Sequence, residues 1–306
     1  MPTVQEALEG KCVVITGSAR GLGAAYARSA SSAGAIVVVN DVDADPVAEV
    51  VSEIHATGGR AVGVVADISS WEGAAELIAA CVDAFGRIDG LVNNAGVFSM
   101  SRLEEMDAGD VSELVRVNIM GTAFCASHAA RHMLRRGAGS IVNVTSGAHA
   151  GIPMMGVYGA TKGAVASFTY AWAAELAGTG VRCNAISPLG RTRMVDTTRR
   201  YLEARGLPVY GGDVPDPEAN APVAVYLLSD RSSDVNGQVI RIEGGQLSIM
   251  THPAVWLPVL ARDVWTFEAV AEAFATDLVH RQSPAGVVGL RPDLTAAGST
   301  FWEASS

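Results

Sequence analysis

Up to about residue 245 the chain alternates short, almost continuously apolar runs with longer stretches whose apolar positions recur at helical spacing. The apolar runs predict seven strands, at 12–16, 36–40, 61–66, 90–93, 140–145, 182–186 and 239–242. Helices are predicted near 22–33, 45–57, 71–85, 108–136, 157–177 and 217–229. Strands this rich in Val and Ile, with no alternating polar face, belong in a sheet covered on both sides. The alternation therefore predicts one α/β domain over residues 1–245, a doubly wound parallel sheet with helices on both faces. After Gly244 and Gly245 it stops. Residues 246–306 read as a C-terminal extension packed on the domain or on a neighbouring subunit, and they carry Trp256, Trp265, Phe267, Phe301 and Trp302. One helix is predicted there near 266–280, followed by an irregular tail containing Pro284 and Pro292.

Composition changes this picture little but limits the partners. The 306 residues are 49% hydrophobic with a net charge of −10. That describes an ordered globular protein and argues against nucleic acid or an anionic membrane as partner. The longest stretch free of acidic and basic residues, 137–161, is broken by Gly, Ser and Pro153 and reads as strand plus loop. Cys12, Cys81, Cys125 and Cys183 are scattered without a CxxC pair, so buried reduced thiols and no metal site are expected. The first residues lack the features of a signal peptide, and a cytoplasmic location is expected.

Two motifs carry chemistry. Gly17, Gly21 and Gly23 lie between the first predicted strand and the first helix, where glycines let backbone approach a dinucleotide pyrophosphate at a helix N-terminus. Asp41 closes the second strand, where a carboxylate accepts from ribose hydroxyls and repels a ribose phosphate, which favours NAD over NADP. Arg20, inside the glycine loop, weighs the other way. Tyr158 and Lys162 are four apart and share a helix face, so an ammonium stands beside a phenol and is expected to lower its pKa from about 10. A phenol so placed is suited to move a proton to or from an alcohol oxygen. Together the motifs predict hydride transfer between a nicotinamide and a carbonyl/alcohol pair.

In this order and spacing the motifs resemble the short-chain dehydrogenase/reductase family over residues 8–245, which implies a Rossmann-type sheet. The resemblance rests on Thr16-Gly17, Gly21-Leu22-Gly23, Ala66-Asp67-Ile68, Asn93-Asn94-Ala95-Gly96, Val117-Asn118-Ile119, Thr145-Ser146 and Tyr158 with Lys162. It implies Asn118, Ser146, Tyr158 and Lys162 as catalytic residues. It also implies a cofactor site formed by Gly17, Arg20, Gly21, Leu22, Gly23, Asp41, Asp67, Ile68, Asn94, Ala95, Gly96, Tyr158, Lys162, Pro188 and Thr192. Two departures stand out: Ser146 precedes Tyr158 by 12 residues, one fewer than the family pattern, which keeps Thr145 as an alternative hydroxyl, and the usual Pro-Gly is Pro188-Leu189-Gly190 here.

For the substrate, Asn40-Asp41, Thr192-Arg193-Met194 and the 235–245 segment resemble a narrower group, the bacterial relatives of the 3-hydroxyacyl-CoA dehydrogenase part of peroxisomal multifunctional enzymes. This implies a substrate with a large apolar body, a 3-hydroxyacyl-CoA or a steroid ahead of a small polyol. Residues 194–212 occupy the position of the family's mobile substrate lid, with Arg193, Arg199 and Arg200 as a basic cluster. Helices 108–136 and 157–177 imply a homo-oligomer, a tetramer in the family pattern. His149, and the pair His128 and His132, rank as polar surface ahead of site residues. The competing classes are a hydroxysteroid or small-alcohol dehydrogenase, a non-catalytic dinucleotide-binding protein, and an epimerase or lyase using the same Tyr and Lys.

Overall fold

The computed structural model describes residues 6–209, 214–255 and 258–282. Strands β1 (Cys12–Ile15), β2 (Ile36–Asp41), β3 (Arg60–Val65), β4 (Gly90–Asn93), β5 (Gly139–Val144), β6 (Val181–Leu189), β7 (Val239–Glu243) and β8 (Gln246–Met250) form one sheet in the order β3-β2-β1-β4-β5-β6-β7-β8. All neighbouring pairs are parallel except β7 with β8. Seven strands were expected, and the eighth is a correction. Gly244 has φ +57°, so the chain turns back at once and adds an antiparallel edge strand. The first compact unit accordingly runs through Met250.

The burial of the strands explains their composition. In β1 and β4 every residue is buried, whereas the edge strand β3 alternates and exposes Val65. Helices α1 (Gly21–Ser32) and α8 (Ala221–Leu228) pack together on one face, with Tyr26, Ala27, Leu227 and Leu228 against Val13, Ile15, Val37 and Val39. Helix α2 (Ala44–Ala56) places Val47, Val50 and Ile54 in the same cluster. On the other face α3 (Trp71–Phe85) and α5 (Thr122–Arg136) bury Leu77, Ile78, Cys125 and Met133 against Val14, Val38, Leu91 and Ile141. Ser70 caps α3 by accepting from Gly73 N, and Gly86 closes it at φ +72°.

The long helix expected over 108–136 is three pieces: α4 (Ala108–Leu114), a π-helical stretch over Val115–Gly121, and α5. Helix α6 (Gly156–Glu175) matches expectation within two residues. The sheet order reverses at β1, whose neighbours are β2 and β4, so the crevice at a doubly wound sheet's switch point opens at the carboxyl ends of these strands.

Residues 251–306 form a second unit. Within it Thr266 caps α9 (Phe267–Thr276), Arg262 pairs with Glu272 at 2.7 Å, and Arg281 donates to Pro258 O at 2.7 Å. The predicted irregular tail, Trp256, Phe301 and Trp302 lie outside the described residues, as do lid positions 210–212.

Candidate active site

The switch-point crevice begins with a cradle made of backbone. Gly17 has φ +61°, and a Cβ there would sit 2.7 Å from Ala95 Cα. A Cβ on Gly23 would meet Asn94 Nδ2 at 2.5 Å and run into Gly17 O. Thr16 Oγ1 accepts from Asn94 N and Ala95 N, both at 3.0 Å, and Asn94 Nδ2 donates to Thr16 O and Gly17 O at 3.0 and 2.9 Å. The loop after β1 is thus tied to the loop after β4, and α1 starts with no side-chain cap from Arg20. Gly-lined walls and an uncapped helix N-terminus are the features an anionic pyrophosphate requires, so these residues fit a dinucleotide. Thr192 packs over Gly21, and Leu22 lies against Gly190, which brings the end of β6 to the same rim. Pro188 is still in register with Ile242 there, so β6 runs three residues past its expected end.

At the rim's far side, Asp41 ends β2 and accepts from Val42 N at 2.9 Å. Arg20 turns to Asp43, not Asp41, at 2.6 Å. Asp67 Oδ1 accepts from Ser69 N and Ser69 Oγ at 3.0 and 2.6 Å, and Oδ2 pairs with Arg116 at 2.9 Å. Burial opposes this charge, but the Ser69 and Arg116 hydrogen bonds prevail and hold Asp67 below the usual carboxylate range. Ile68 is buried beneath, where a Cβ on Gly121 would overlap it.

The catalytic expectation converges on one buried cluster. The π-helical stretch carries Asn118, whose Oδ1 accepts from Val97 N at 2.8 Å while Nδ2 donates to Val97 O and Thr161 Oγ1 at 3.0 Å each. Thr161 lies on α6 between Tyr158 and Lys162, so Asn118 fixes that turn to the loop that follows β4. A Cβ on Gly96 would stand 3.1 Å from Asn118 Oδ1 and 3.4 Å from Lys162 Nζ, so a larger residue would crowd these two groups. Lys162 Nζ donates to Val144 O at 2.8 Å and sits 5.9 Å from the centre of the Tyr158 ring. Phe98 meets that ring edge-on at 4.8 Å. The Tyr158 hydroxyl lies 4.0 Å from Met194 Sδ, a sulfur contact from the first turn of α7 (Arg193–Ala204).

The two hydroxyls at the end of β5 separate clearly. Thr145 is buried and its Oγ1 donates to Ile186 O at 3.1 Å, so it belongs to the sheet. Ser146 Oγ accepts from Ala148 N at 3.2 Å and lies close enough to the Tyr158 phenol to favour its ionised form.

The expected lowering of the Tyr158 pKa is a correction. Burial pushes the phenol up to about 12 against the opposing effect of Ser146, and the same burial pushes Lys162 down to about 8. Desolvation of the phenolate outweighs the one favourable contribution, from Ser146, so burial sets the direction. At neutral pH the site holds a neutral phenol, the form that donates a proton.

His149 lies on the loop beside Ser146, buried at Nδ1 without a partner and pushed below its ordinary value chiefly by burial. His128 meets Trp71 in a tilted ring contact at 4.2 Å and His132 engages Arg135 at 2.9 Å, so neither joins the cluster. Among the described residues no three His, Cys, Asp or Glu side chains form a metal-holding group. Sequence reasoning left Asp43 and Arg116 out of the site and carried Thr16 and Met194 only as motif and lid positions. Thr16 carried a signal, a hydroxyl directly before the first glycine. The others declare themselves only through contacts across the chain.

Residues 11–202 match the short chain dehydrogenase family. The chain is a short-chain dehydrogenase/reductase. It is 35% identical over 244 residues to the (2S)-[(R)-hydroxy(phenyl)methyl]succinyl-CoA dehydrogenase subunit BbsD of Thauera aromatica, covering 78% of this chain and 97% of that one. It is also 35% identical over 248 residues to the L-rhamnose 1-dehydrogenase (NAD(P)(+)) of a Sphingomonas species, covering 78% and 96%. Among solved structures it resembles a short chain dehydrogenase from Mycobacterium avium, with a TM-score of 0.79, 31% identity, and 91% of this chain and 98% of that one covered. This short-chain dehydrogenase/reductase is accordingly an oxidoreductase acting on CH–OH groups of small molecules, in a family that uses NAD(H) or NADP(H). No described helix is long and apolar enough to cross a membrane.

Proposed function

We propose that the protein is an NAD-preferring dehydrogenase that interconverts a secondary alcohol and its ketone on an acyl-CoA-like thioester. The observation that carries the chemistry is the convergence of the half-buried Ser146 hydroxyl with the buried neutral Tyr158 phenol and Lys162 ammonium. In this reading Tyr158 gives or takes the proton of the substrate oxygen, and Ser146 holds that oxygen and its developing charge. Lys162 anchors the nicotinamide-side ribose and keeps positive charge near the phenol. Asn118, clamped between Val97 and Thr161, continues the proton path away from Lys162. Gly17, Gly21, Leu22, Gly23, Asn94, Ala95 and Gly96 line the dinucleotide's pyrophosphate and nicotinamide ribose, Asp67 and Ile68 its adenine, and Pro188 and Thr192 its carboxamide end. When bound, the nicotinamide supplies the hydride.

The preference for NAD rests on Asp41, whose carboxylate would face a ribose phosphate at close range; the repulsion and lost hydrogen bonds cost on the order of a few kcal/mol. The thioester reading is supported by the likeness to the (2S)-[(R)-hydroxy(phenyl)methyl]succinyl-CoA dehydrogenase subunit and by Arg193, Arg199 and Arg200, all exposed on α7. A homotetramer is supported by exposed Val115, Met120 and Leu134 and by the Phe168–Trp172 stack on α6, at 4.6 Å.

The test is a panel of 3-hydroxyacyl-CoA thioesters, hydroxysteroids and small polyols, each with NAD and NADP. Thioesters with NAD should give the highest kcat/KM, and that rate should fall with added salt as phosphate steering is screened. Turnover confined to polyols would overturn the substrate assignment and leave the oxidoreductase standing.

A further inference from the structure

Arg20 stands in the loop that leads into α1, one residue before Gly21, and its guanidinium is bound to a carboxylate the cofactor pattern does not include. Arg20 NH1 meets Asp43 Oδ2 at 2.6 Å. Hydrogen bonding to Asp43 is the first cause of the upward shift of the Arg20 pKa, with Asp41 and Glu49 also acting through charge. Arg20, Asp41 and Asp43 thus form one electrostatic group where β2 ends and α2 begins. Its geometry is uneven. Asp43 holds the guanidinium, whereas Asp41 Oδ1 is occupied by the neighbouring Val42 N at 2.9 Å.

We propose that Asp43 is a specificity-determining residue for the cofactor, acting by sequestering Arg20. The proposal rests on the reading that the adenine-side ribose lies at Asp41. An Arg at this place is the one group in the trio that would bind a ribose phosphate, by a charge-assisted and potentially bidentate pair. With its guanidinium held on Asp43, the trio presents a net charge of −1 to the ribose: one cation against two carboxylates. NADP is then rejected twice, by repulsion from Asp41 and by loss of the cation that would compensate it. Both partners are about half exposed, 40% and 53% at the side chain, so the pair contributes little to folding. Its function is therefore separable from stability, and Arg20 can be released without unfolding the loop.

The two barriers act through one guanidinium, which makes the proposal testable by coupling. The Kd values of NAD+ and NADP+ are measured by titration calorimetry on the full-length protein and on Asp41→Asn, Asp43→Asn, the double variant, and the double variant carrying Arg20→Ala. Asp41→Asn alone should tighten NADP+ by about 10-fold, and Asp43→Asn alone by about 3-fold, because Asp41 then becomes the partner of the freed Arg20. The double variant should exceed the product of the two by about 5-fold or more, and Arg20→Ala should remove that surplus. A double variant no better than the product, or one indifferent to Arg20→Ala, overturns the role of Asp43. If Asp41→Asn shifts the NAD+ to NADP+ ratio and Asp43→Asn adds nothing, the ribose placement survives and this proposal falls. If no variant shifts the ratio, the ribose does not lie at Asp41, and both fall.

Discussion

At the amino ends of β4 and β5, Asp89 is 7% exposed and fully partnered: it accepts from Cys12 N at 2.9 Å, Arg87 Nε at 2.7 Å and Arg136 at 2.8 Å. Around it Lys11 pairs with Asp230 at 2.7 Å, and Arg182 donates to Leu227 O, Ser229 O and Ser232 Oγ, lining a cavity of about 370 Å³. At the carboxyl ends of the same strands, buried polar groups are left short of partners. Tyr158 has a nearby hydroxyl and a distant thioether, Lys162 one carbonyl, and the buried Asn93 Oδ1 no partner. The pKa directions follow the difference. Asp89, although desolvated, is held below the usual carboxylate range by its two arginines, whereas Tyr158 and Lys162 are pushed by burial toward their neutral forms. Partnered burial stabilises a fold, and under-partnered burial leaves groups ready to exchange a proton or receive a ligand.

That contrast is best broken at Tyr158. Tyr158→Phe should lower kcat by about 10³-fold or more, with the urea midpoint within experimental error of the wild type, since the lost hydroxyl has little to hold in the folded state. A destabilised but active variant would place Tyr158 in the same class as Asp89.

The converse change is Asp89→Ala, which strands Arg87 and Arg136 and should cost about 3 kcal/mol of unfolding free energy. The kcat of the folded fraction should stay close to wild type. Because the folded Asp89 pKa lies below its unfolded value, its contribution is present above the unfolded pKa and is lost as pH falls through the folded one. The variant should therefore lack part of the wild-type loss of stability in acid.

Between the hydroxyls of Thr145 and Ser146, Ser146→Ala should lower kcat by about 10²-fold, whereas Thr145→Val should lower stability by about 1 kcal/mol and leave kcat nearly unchanged. The reverse ranking would move the catalytic hydroxyl into the sheet.

A pH-dependent effect sharpens the comparison most. The folded Lys162 pKa, about 8, lies below the ordinary 10.5, so between these values the unfolded chain binds more protons and stability rises with pH. Wild type should gain about 2 kcal/mol relative to Lys162→Met between pH 8 and 9.5, read from urea unfolding at each pH. The raised Tyr158 pKa works in the opposite sense only above about pH 10, outside that window. A flat difference would mean that Lys162 is better partnered than its single carbonyl indicates.

The sequence carried the cradle almost whole, because Gly17 and Gly23 are dictated locally, one by its left-handed backbone and both by backbone passing where a Cβ would be. It carried the Tyr158 and Lys162 pair for a similar reason, since helical spacing alone puts them on one face. It put Ser146 ahead of Thr145 without excluding Thr145, because the bond that ties Thr145 to the sheet is made to Ile186, a strand away. Nor did it reveal the π-helical stretch at Asn118, whose side-chain clamp on Val97 is a long-range bond in a segment that otherwise reads as plain helix. The eighth strand was hidden for another reason: Leu247 and Ile249 are exposed on an edge strand, so the apolar pattern carries no core signal there.

By itself, then, the amino-acid sequence determined the alternation of strands and helices, the place of the glycine cradle and the pairing of Tyr158 with Lys162 on one helix face, all consequences of local periodicity and backbone sterics. Only the tertiary structure decided which hydroxyl meets the phenol, which carboxylate holds Arg20, and in which direction Tyr158 and Lys162 titrate. Those depend on desolvation and on contacts between distant segments, and neither exists until the sheet has assembled around them.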